Sequence, residues 1–549
     1  MTDTTSKGHP KGLYLLFATE MWERFNFYGM RAILSLFLIN ALAYSDAESS
    51  VIYGGFLGLC YLTPMLGGFI SDRYLGNRAC IQLGGLTMGL GQLLLFVSAS
   101  LYASNLETAR MVMWVALGVI IMGNGFFKPN ISSMVGSLYP KGDNRLDSAF
   151  TIFYMGINLG ALIGNAICSI VGDVKVDGVR DISAFKWGFL AAGLAMFLGV
   201  IIFYLWKNKF IRTPEGNPIG ARPDHKNNPA AEQAKFAPAS IALWAGIAVV
   251  LINVFHFVVG QNWIYSFIYS SGLALAGLII TDKSLTKQER DRISVMYMVG
   301  FFVIFFWACF EQAGSSLTFI ADKQTDTTLL GWTMPPTLVQ NFNAIFVIIL
   351  APIFSVLWIM LNKRNLEPIS PAKQAIGLLI LSLGYLVIAF QVRDLGGAKL
   401  GVIWLIIMYL LHTIGELCLS PIGLSLVAKL APARFSSLLM GVWFLSNASG
   451  YALAGTLGAL IPQGPGEIAA AQEKGIDLVS ILNKAVTPTA EQLATLKELK
   501  ISSVYPSFAG FELHNLYEFF MVFVVLSGVA AILLFALVPL MKKLMHGVR

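Results

Sequence analysis

Fourteen runs of mostly apolar residues alternate with polar breaks along this chain of 549 residues. They cover 13–40, 50–71, 79–101, 110–136, 147–172, 185–206, 239–259, 264–281, 292–317, 337–361, 373–392, 399–428, 435–461 and 512–541. A helix needs about 20 apolar residues to cross the hydrocarbon core of a bilayer. The pattern therefore predicts fourteen transmembrane helices. The runs at 239–259 and 264–281 form a pair, separated only by Gly260 to Trp263.

Two polar stretches break the rhythm. Lys207 to Pro238 contains PEGNPIGARPDHKNNP, whose proline, glycine and charge read as a linker. It leaves six predicted helices before it and eight after. Taking the pair at 239–281 as an insertion gives six, two and six. Three regions follow: an N-terminal six-helix bundle (1–206), a cytoplasmic linker with two extra helices (207–291), and a C-terminal six-helix bundle (292–549). Two bundles joined by a cytoplasmic linker is the plan of a secondary transporter with its site at the midplane between the halves. The second polar stretch, near 462–511, is expected on the extracytoplasmic side. Within it TPTAEQLATLKELK has the pattern of a short surface helix.

Composition narrows the class. The chain is 56% hydrophobic and only 13% charged, against roughly a quarter charged in a soluble domain. So little charge cannot cover a water-facing surface of this size. That excludes a soluble enzyme, a disordered chain and a fibrous one. The 52 glycines suit helices packed closely within a bilayer.

The net charge of +7 needs no nucleic-acid partner, because cytoplasmic loops gather Lys and Arg for topological reasons. With the N-terminus inside, cytoplasmic segments hold 24 basic residues, outer segments 11, and three lie within helices. This predicts both termini in the cytoplasm. Cys60, Cys80, Cys168, Cys309 and Cys418 sit in separate apolar runs with no CxxC, so neither disulfides nor a zinc site is expected. The polar start MTDTTSKGHPKG lacks a small-residue cleavage site after a short apolar core, so the first run reads as a retained helix.

Charges within the apolar runs ask for a reason, since burying them in a membrane is costly. The first run carries Glu20, Glu23, Arg24 and Arg31. At 100° per residue these and Tyr28 share an arc of about 140°, and that arc must face protein or water. Glu20 and Arg24 have the i, i+4 spacing of a helical ion pair. Lys128 stands mid-run beside Pro129, too deep to snorkel easily. Glu311 lies one turn beyond Trp307, and Glu416 is followed at i+4 by Ser420. Taken singly, each reads equally as a static ion pair or a protonated, hydrogen-bonded acid. Together, four acids (Glu20, Glu23, Glu311, Glu416) face three bases (Arg24, Arg31, Lys128), and all three bases lie in the first half. A cavity between the bundles would then be positive on one wall and negative on the other. That arrangement suits a zwitterion, and it suits proton coupling, because protonation releases a carboxylate from its basic partner.

Two more motifs fit. Gly68-x-x-x-Asp72-Arg73-x-x-Gly76-x-Arg78 is expected in a short cytoplasmic loop, where its charges cap helix ends and latch an inner gate. Phe153-Tyr154-Met-Gly-Ile-Asn158-Leu-Gly160 puts Tyr154 and Asn158 on one helix face, with glycines for close packing. Such a pair can bind the backbone of a ligand whatever its side chains.

This set resembles the proton-dependent oligopeptide transporters of the major facilitator superfamily. Glu20-x-x-Glu23-Arg24-Phe25-x-Phe27-Tyr28-Gly29 is similar to the family's ExxERFxYYG, with Phe27 in place of a tyrosine. The 68–78 segment matches the superfamily's loop motif, and 153–160 matches FYxxINxG. Gly415-Glu416-x-x-x-Ser420-Pro421 matches the tenth-helix pattern, and the pair at 239–281 matches two extra helices of bacterial members. The resemblance spans essentially the whole chain.

It implies an all-α major facilitator fold and a role for each residue. Glu20, Glu23, Arg24 and Glu311 would couple protons, with Glu311 released from Arg31 on protonation. Arg31 and Lys128 would meet a peptide carboxylate, and Glu416 its ammonium, with Ser420 adjacent. Tyr28, Tyr61, Tyr154 and Asn158 would bind peptide backbone, while Trp307, Phe310 and Trp443 would line side-chain pockets. Asn343 would bind the amino end, although the family reads Asn-Pro where this chain reads Asn343-Ala344. The 462–511 segment is longer than in shorter members.

The expected function is proton-coupled import of di- and tripeptides by alternating access, across a bacterial cytoplasmic membrane. No cofactor is expected beyond protons, nor a nucleic acid or obligatory protein partner. A related anion transporter is disfavoured by Glu416, which an anion would not need. A membrane enzyme lacks a metal cluster, phosphate loop or Ser/His/Asp set. The alternatives are uptake of another small anion or peptide-like compound on the same fold, or a transport-inactive receptor, for which seven intramembrane charges would be a large cost.

Overall fold

The computed structural model describes residues 8–140, 145–222, 236–393, 395 and 398–548. Fourteen long helical segments fill most of them. They are α1 (Lys11–Asn40), α2 (Asp46–Leu75), α3 (Asn77–Leu101), α4 (Leu106–Ser137), α5 (Leu146–Gly172), α6 (Phe185–Phe210), α7 (Pro238–Val258), α8 (Trp263–Ile280), α9 (Lys287–Lys323), α10 (Asn341–Lys363), α11 (Ser370–Arg393), α12 (Val402–Leu430), α13 (Ser436–Gly458) and α17 (Leu516–Leu544). Each lies on one of the expected apolar runs. The helices α14 (Pro465–Glu473), α15 (Leu478–Leu482) and α16 (Ala490–Glu498) occupy the long polar insert. Two-residue β-ladders decorate the connections, including a parallel one between Thr325–Asp326 and Leu400–Gly401.

Among the described residues, twelve segments are long and apolar enough to cross a membrane. The two long helices outside that set have identifiable causes. α1 carries the charge cluster, and α13 is diluted by Ser446, Asn447, Ser449 and several glycines. Local chemistry sets several helix starts. Asn105 accepts from the Thr108 amide at the start of α4, and Thr286 with Glu289 forms a capping box at the start of α9.

The expected loop at 68–78 is instead mostly helix. Gly68 to Ile70 continue α2 and Ser71 to Leu75 form a wider helical turn, so the chain breaks only at Gly76. Gly76 takes φ 77°, and a Cβ there would meet the Ala221 carbonyl. Both constraints demand glycine. The expected linker begins with the last turn of α6. Its following residues make a tight turn bridging Arg212 and Pro218, while 223–235 lie outside the described residues.

The chain divides into two compact units. One takes residues 8–37 and 59–222, the other 38–58 and 236–548 of the described chain. The division therefore falls in the last turn of α1 and again within α2. In the first unit, Phe37 packs edge-on against Phe189 at 5.0 Å and Phe185 at 5.9 Å. Glycines set the α1–α5 seam: a Cβ on Gly160 would collide with the Met21 carbonyl and the Arg24 Cβ. In the second unit, Tyr385 stacks on Phe523 at 4.8 Å and lies 4.6 Å from the His412 ring. The start of α2 belongs to this unit, where the Tyr265 hydroxyl donates to the Val51 carbonyl at 2.8 Å. The insert has its own small core of Ala471, Ile476, Leu478, Ile481, Leu482, Leu496 and Ile501. Its helix α16 falls within the TPTAEQLATLKELK segment.

Candidate functional site

Periodicity alone brings the first cluster together. Glu20, Glu23 and Arg24 lie on α1, and none is more than 5% exposed. The Arg24 Nε donates to Glu20 Oε1 at 2.7 Å and lies 2.8 Å from Glu23 Oε2. One guanidinium thus faces two carboxylates in a setting without bulk water. Removing Arg24 from such a group leaves two buried carboxylates uncompensated. Gly160 admits the backbone of α5 against this stretch, so the FYxxINxG glycine is a packing requirement of the charged helix.

Lys128 joins the cluster from α4. Its Nζ lies 3.3 Å from the centre of the Tyr61 ring and interacts electrostatically with Glu23, Glu20 and Arg24. The Pro129 beside it removes an amide from the helix. The carbonyl that amide would have bonded belongs to Gly125, and a Cβ on Gly67 would collide with that carbonyl. Arg31 stacks on Tyr28, with Cζ 5.0 Å from the ring centre. Tyr154 and Asn158 share a face of α5, where the Asn158 amide donates to the Tyr154 carbonyl at 2.9 Å. Asp72 and Arg73 are exposed, and Arg73 covers Phe69 at 4.5 Å. Arg78 closes the end of α6: it donates to the Ile219 carbonyl at 2.6 Å, to Asn208 Oδ1 at 3.0 Å and to the Ile211 carbonyl. Arg78 therefore clamps the end of α6, while Asp72 and Arg73 stay exposed.

The second unit holds the remaining candidates. After Phe310 the α9 helix gives way to a 3-10 turn, Glu311–Gly314, and resumes at Ser316. Side chains satisfy the interrupted backbone. Gln312 Nε2 donates to the Ala308 and Ala454 carbonyls at 2.9 and 3.0 Å. The Tyr385 hydroxyl donates to the Cys309 carbonyl at 2.6 Å. Gly314 is required because a Cβ would overlap the Tyr53 hydroxyl. Glu311 is buried at the head of this break. Trp307 and Phe310 meet edge to face at 5.5 Å.

Glu416 on α12 is met from α10 by Asn343, whose Nδ2 donates to Glu416 Oε2 at 2.9 Å and to Thr413 Oγ1 at 3.0 Å. Ser420 follows one turn along with its hydroxyl buried. Trp443 on α13 packs onto Gly423, where a Cβ would strike its ring. The site residues not foreseen from sequence are Thr413 and Tyr385. Thr413 had a signal, a hydroxyl three positions before Glu416 on the same helix face. Tyr385 had none, because its role depends on where α9 breaks. Among the described residues, no group of three or more His, Cys, Asp or Glu is arranged to hold a metal ion.

Long apolar helices with charge buried on them fit a transporter. The comparisons are specific about which. The POT family model matches residues 78–473. The chain is 33% identical to the uncharacterized transporter YclF of Bacillus subtilis, over 83% of this chain and 89% of that one. It is also 33% identical to the di-/tripeptide transporter of Lactococcus lactis subsp. cremoris, over 82% and 90%. Among solved structures, a peptide transporter POT bound to sulfate matches with TM-score 0.72 and 30% identity, covering all of this chain and 98% of that one. A POT family transporter bound to a thioalcohol-conjugated peptide matches with TM-score 0.72 and 28% identity over 99% of both. The chain belongs to the POT family. It has that family's major facilitator fold and is a secondary transporter, not an enzyme.

Proposed function

We propose that this protein imports di- and tripeptides together with protons across the bacterial cytoplasmic membrane. The observation that carries this reading is the buried Glu20–Arg24–Glu23 group with Lys128 beside it. In this reading the carboxylates are the proton-binding groups. Protonating one frees Arg24 to pair differently, a discrete rearrangement of the kind alternating access requires. By linkage, whatever peptide binding gains from the proton, proton binding gains from the peptide.

Binding divides between opposite charges. Arg31 and Lys128 take the peptide carboxylate, and Glu416 with Asn343 takes the ammonium. Tyr28, Tyr61, Tyr154 and Asn158 read the backbone, while Trp307, Phe310 and Trp443 line side-chain pockets. Glu311, at the break in α9, is a second proton-linked acid. Apolar pockets separate side chains weakly, by about 1–3 kcal/mol per methylene, whereas fixed charges at both ends set peptide length. Asp72, Arg73 and Arg78, with Gly68 and Gly76, form the inner gate. Fourteen spans with both termini inside complete the topology. The likeness to the di-/tripeptide transporter of Lactococcus lactis supports the substrate class.

The test uses purified protein in liposomes loaded with a pH dye under an inside-negative potential. Dialanine added outside acidifies the lumen, and free alanine and nitrate do not. Acidification by nitrate and none by dialanine overturns the peptide assignment.

A further inference from the structure

Thr413 is fully buried on α12, three residues before Glu416. Its hydroxyl oxygen lies 2.7 Å from the Tyr409 carbonyl. A carbonyl oxygen only accepts, so the single hydroxyl proton is committed there. Toward any third group, Thr413 Oγ1 is therefore an acceptor only. The Asn343 amide atom 3.0 Å away must then be the nitrogen. That nitrogen has two protons, and its second bond runs to Glu416 Oε2 at 2.9 Å. Both N–H groups are spent, and Oδ1 is the atom of the amide left to accept.

From this chain of donors and acceptors we propose that Thr413 is a positioning residue that fixes the Asn343 amide, so that the amide and Glu416 together present acceptors to a ligand ammonium. The inference rests on the peptide reading given above. A reversed amide would offer N–H donors instead and suit a carboxylate. The orientation does not depend on the charge of Glu416, because the Tyr409 carbonyl and the Thr413 proton alone determine it. Thr413 touches no ligand in this account; it acts through Asn343.

The experiment compares dialanine with propionyl-alanine, which lacks only the α-amino group. Binding of each to the purified full-length protein is measured by calorimetry. Wild type is expected to bind dialanine more tightly. Thr413→Val keeps the shape and removes the hydroxyl. It is expected to weaken dialanine roughly tenfold, the scale of one hydrogen bond held in place, and to leave propionyl-alanine within about twofold. Thr413→Ser restores the discrimination. In an Asn343→Ala background, Thr413→Val has no further effect on dialanine, which marks the two residues as one unit. A Thr413→Val protein that discriminates like wild type, or that loses both ligands equally, overturns the assignment while leaving peptide binding intact. Failure of wild type to bind dialanine at all overturns the peptide reading and this inference with it. Melting temperatures identify any variant that has lost its fold.

Discussion

The two units solve the problem of buried charge differently. In the first, carboxylates are answered by cations: Arg24 touches both Glu20 and Glu23, and Lys128 stands nearby. In the second, Glu416 is answered by an amide, Asn343, itself steered by a hydroxyl. A cation partner exchanges easily when a proton arrives, because protonation removes the attraction outright. An amide partner can remain hydrogen-bonded whether the acid is charged or neutral. The first arrangement suits a switch and the second suits a holder.

The largest effect that would break this comparison comes from removing a cation. Arg24→Ala leaves two carboxylates buried beside each other. Loss of one partner from a buried pair costs about 3–5 kcal/mol, so the variant should melt markedly lower and show no proton-driven uptake. Lys128→Ala should also abolish proton-driven uptake while melting closer to wild type, since Lys128 rests on the Tyr61 ring rather than on a short ion pair. Uptake in liposomes and thermal melts in detergent measure both. Full uptake in Lys128→Ala removes that residue from the site.

A sharper test separates switching from holding. Glu23→Gln keeps shape and hydrogen bonding but cannot gain or lose a proton. Peptide exchange across the liposome membrane should continue near the wild-type rate, while accumulation collapses until inside and outside concentrations match. Counterflow and proton-driven uptake on one preparation read the two quantities separately. Undiminished accumulation would place the coupling acid elsewhere.

The same contrast explains what sequence made visible. The first cluster sits on one helix, so a 3.6-residue period projects Glu20, Arg24 and Arg31 onto one face before any packing is known. The helix positions were legible for a similar reason, because apolar run length is a local property. Asn343 and Glu416 lie 73 residues apart and meet only because α10 packs on α12. No local pattern reports that, and Thr413 gains meaning only once the pair is seen. The 68–78 motif shows the reverse error. Its charges and glycines read as a loop, yet the chain stays helical until a single residue, Gly76, cannot. Glycine at Gly68 is not a stop when apolar neighbours carry the helix onward.

On the holder side, Asn343→Ala should raise the KM for dialanine about tenfold with little change in maximal rate. One hydrogen bond to a charged group is worth roughly 1.5–3 kcal/mol, and part of that is recovered by water. Glu416→Gln should do the same or more, because it removes the charge the ammonium meets. An unchanged KM in both would assign the amino end to other residues and leave the Glu416 pair as a purely structural contact.

The smallest effect lies outside the membrane segments and calibrates the others. Glu367, between α10 and α11, accepts from Lys373 and, at 2.5 Å, from Asn362. Burial pushes its carboxyl up, but the hydrogen bonds from Lys373 and Asn362 outweigh that and hold it below the usual carboxylate range. A carboxyl depressed on folding adds stability above its unfolded value, and that stability is lost as pH falls through the folded value. Glu367→Gln should therefore lower the melting temperature slightly at neutral pH, with about 1 kcal/mol at stake, since the Glu367 carboxylate is partly open to solvent although Lys373 is buried. The gap between variant and wild type should close in acid. Glu23→Gln, by contrast, should cost transport without this dependence of the melt. If the Glu367 pair matched the Arg24 group in its effect on melting, burial would not be what distinguishes the charges on α1, and their assignment as a coupling cluster would lose its physical ground.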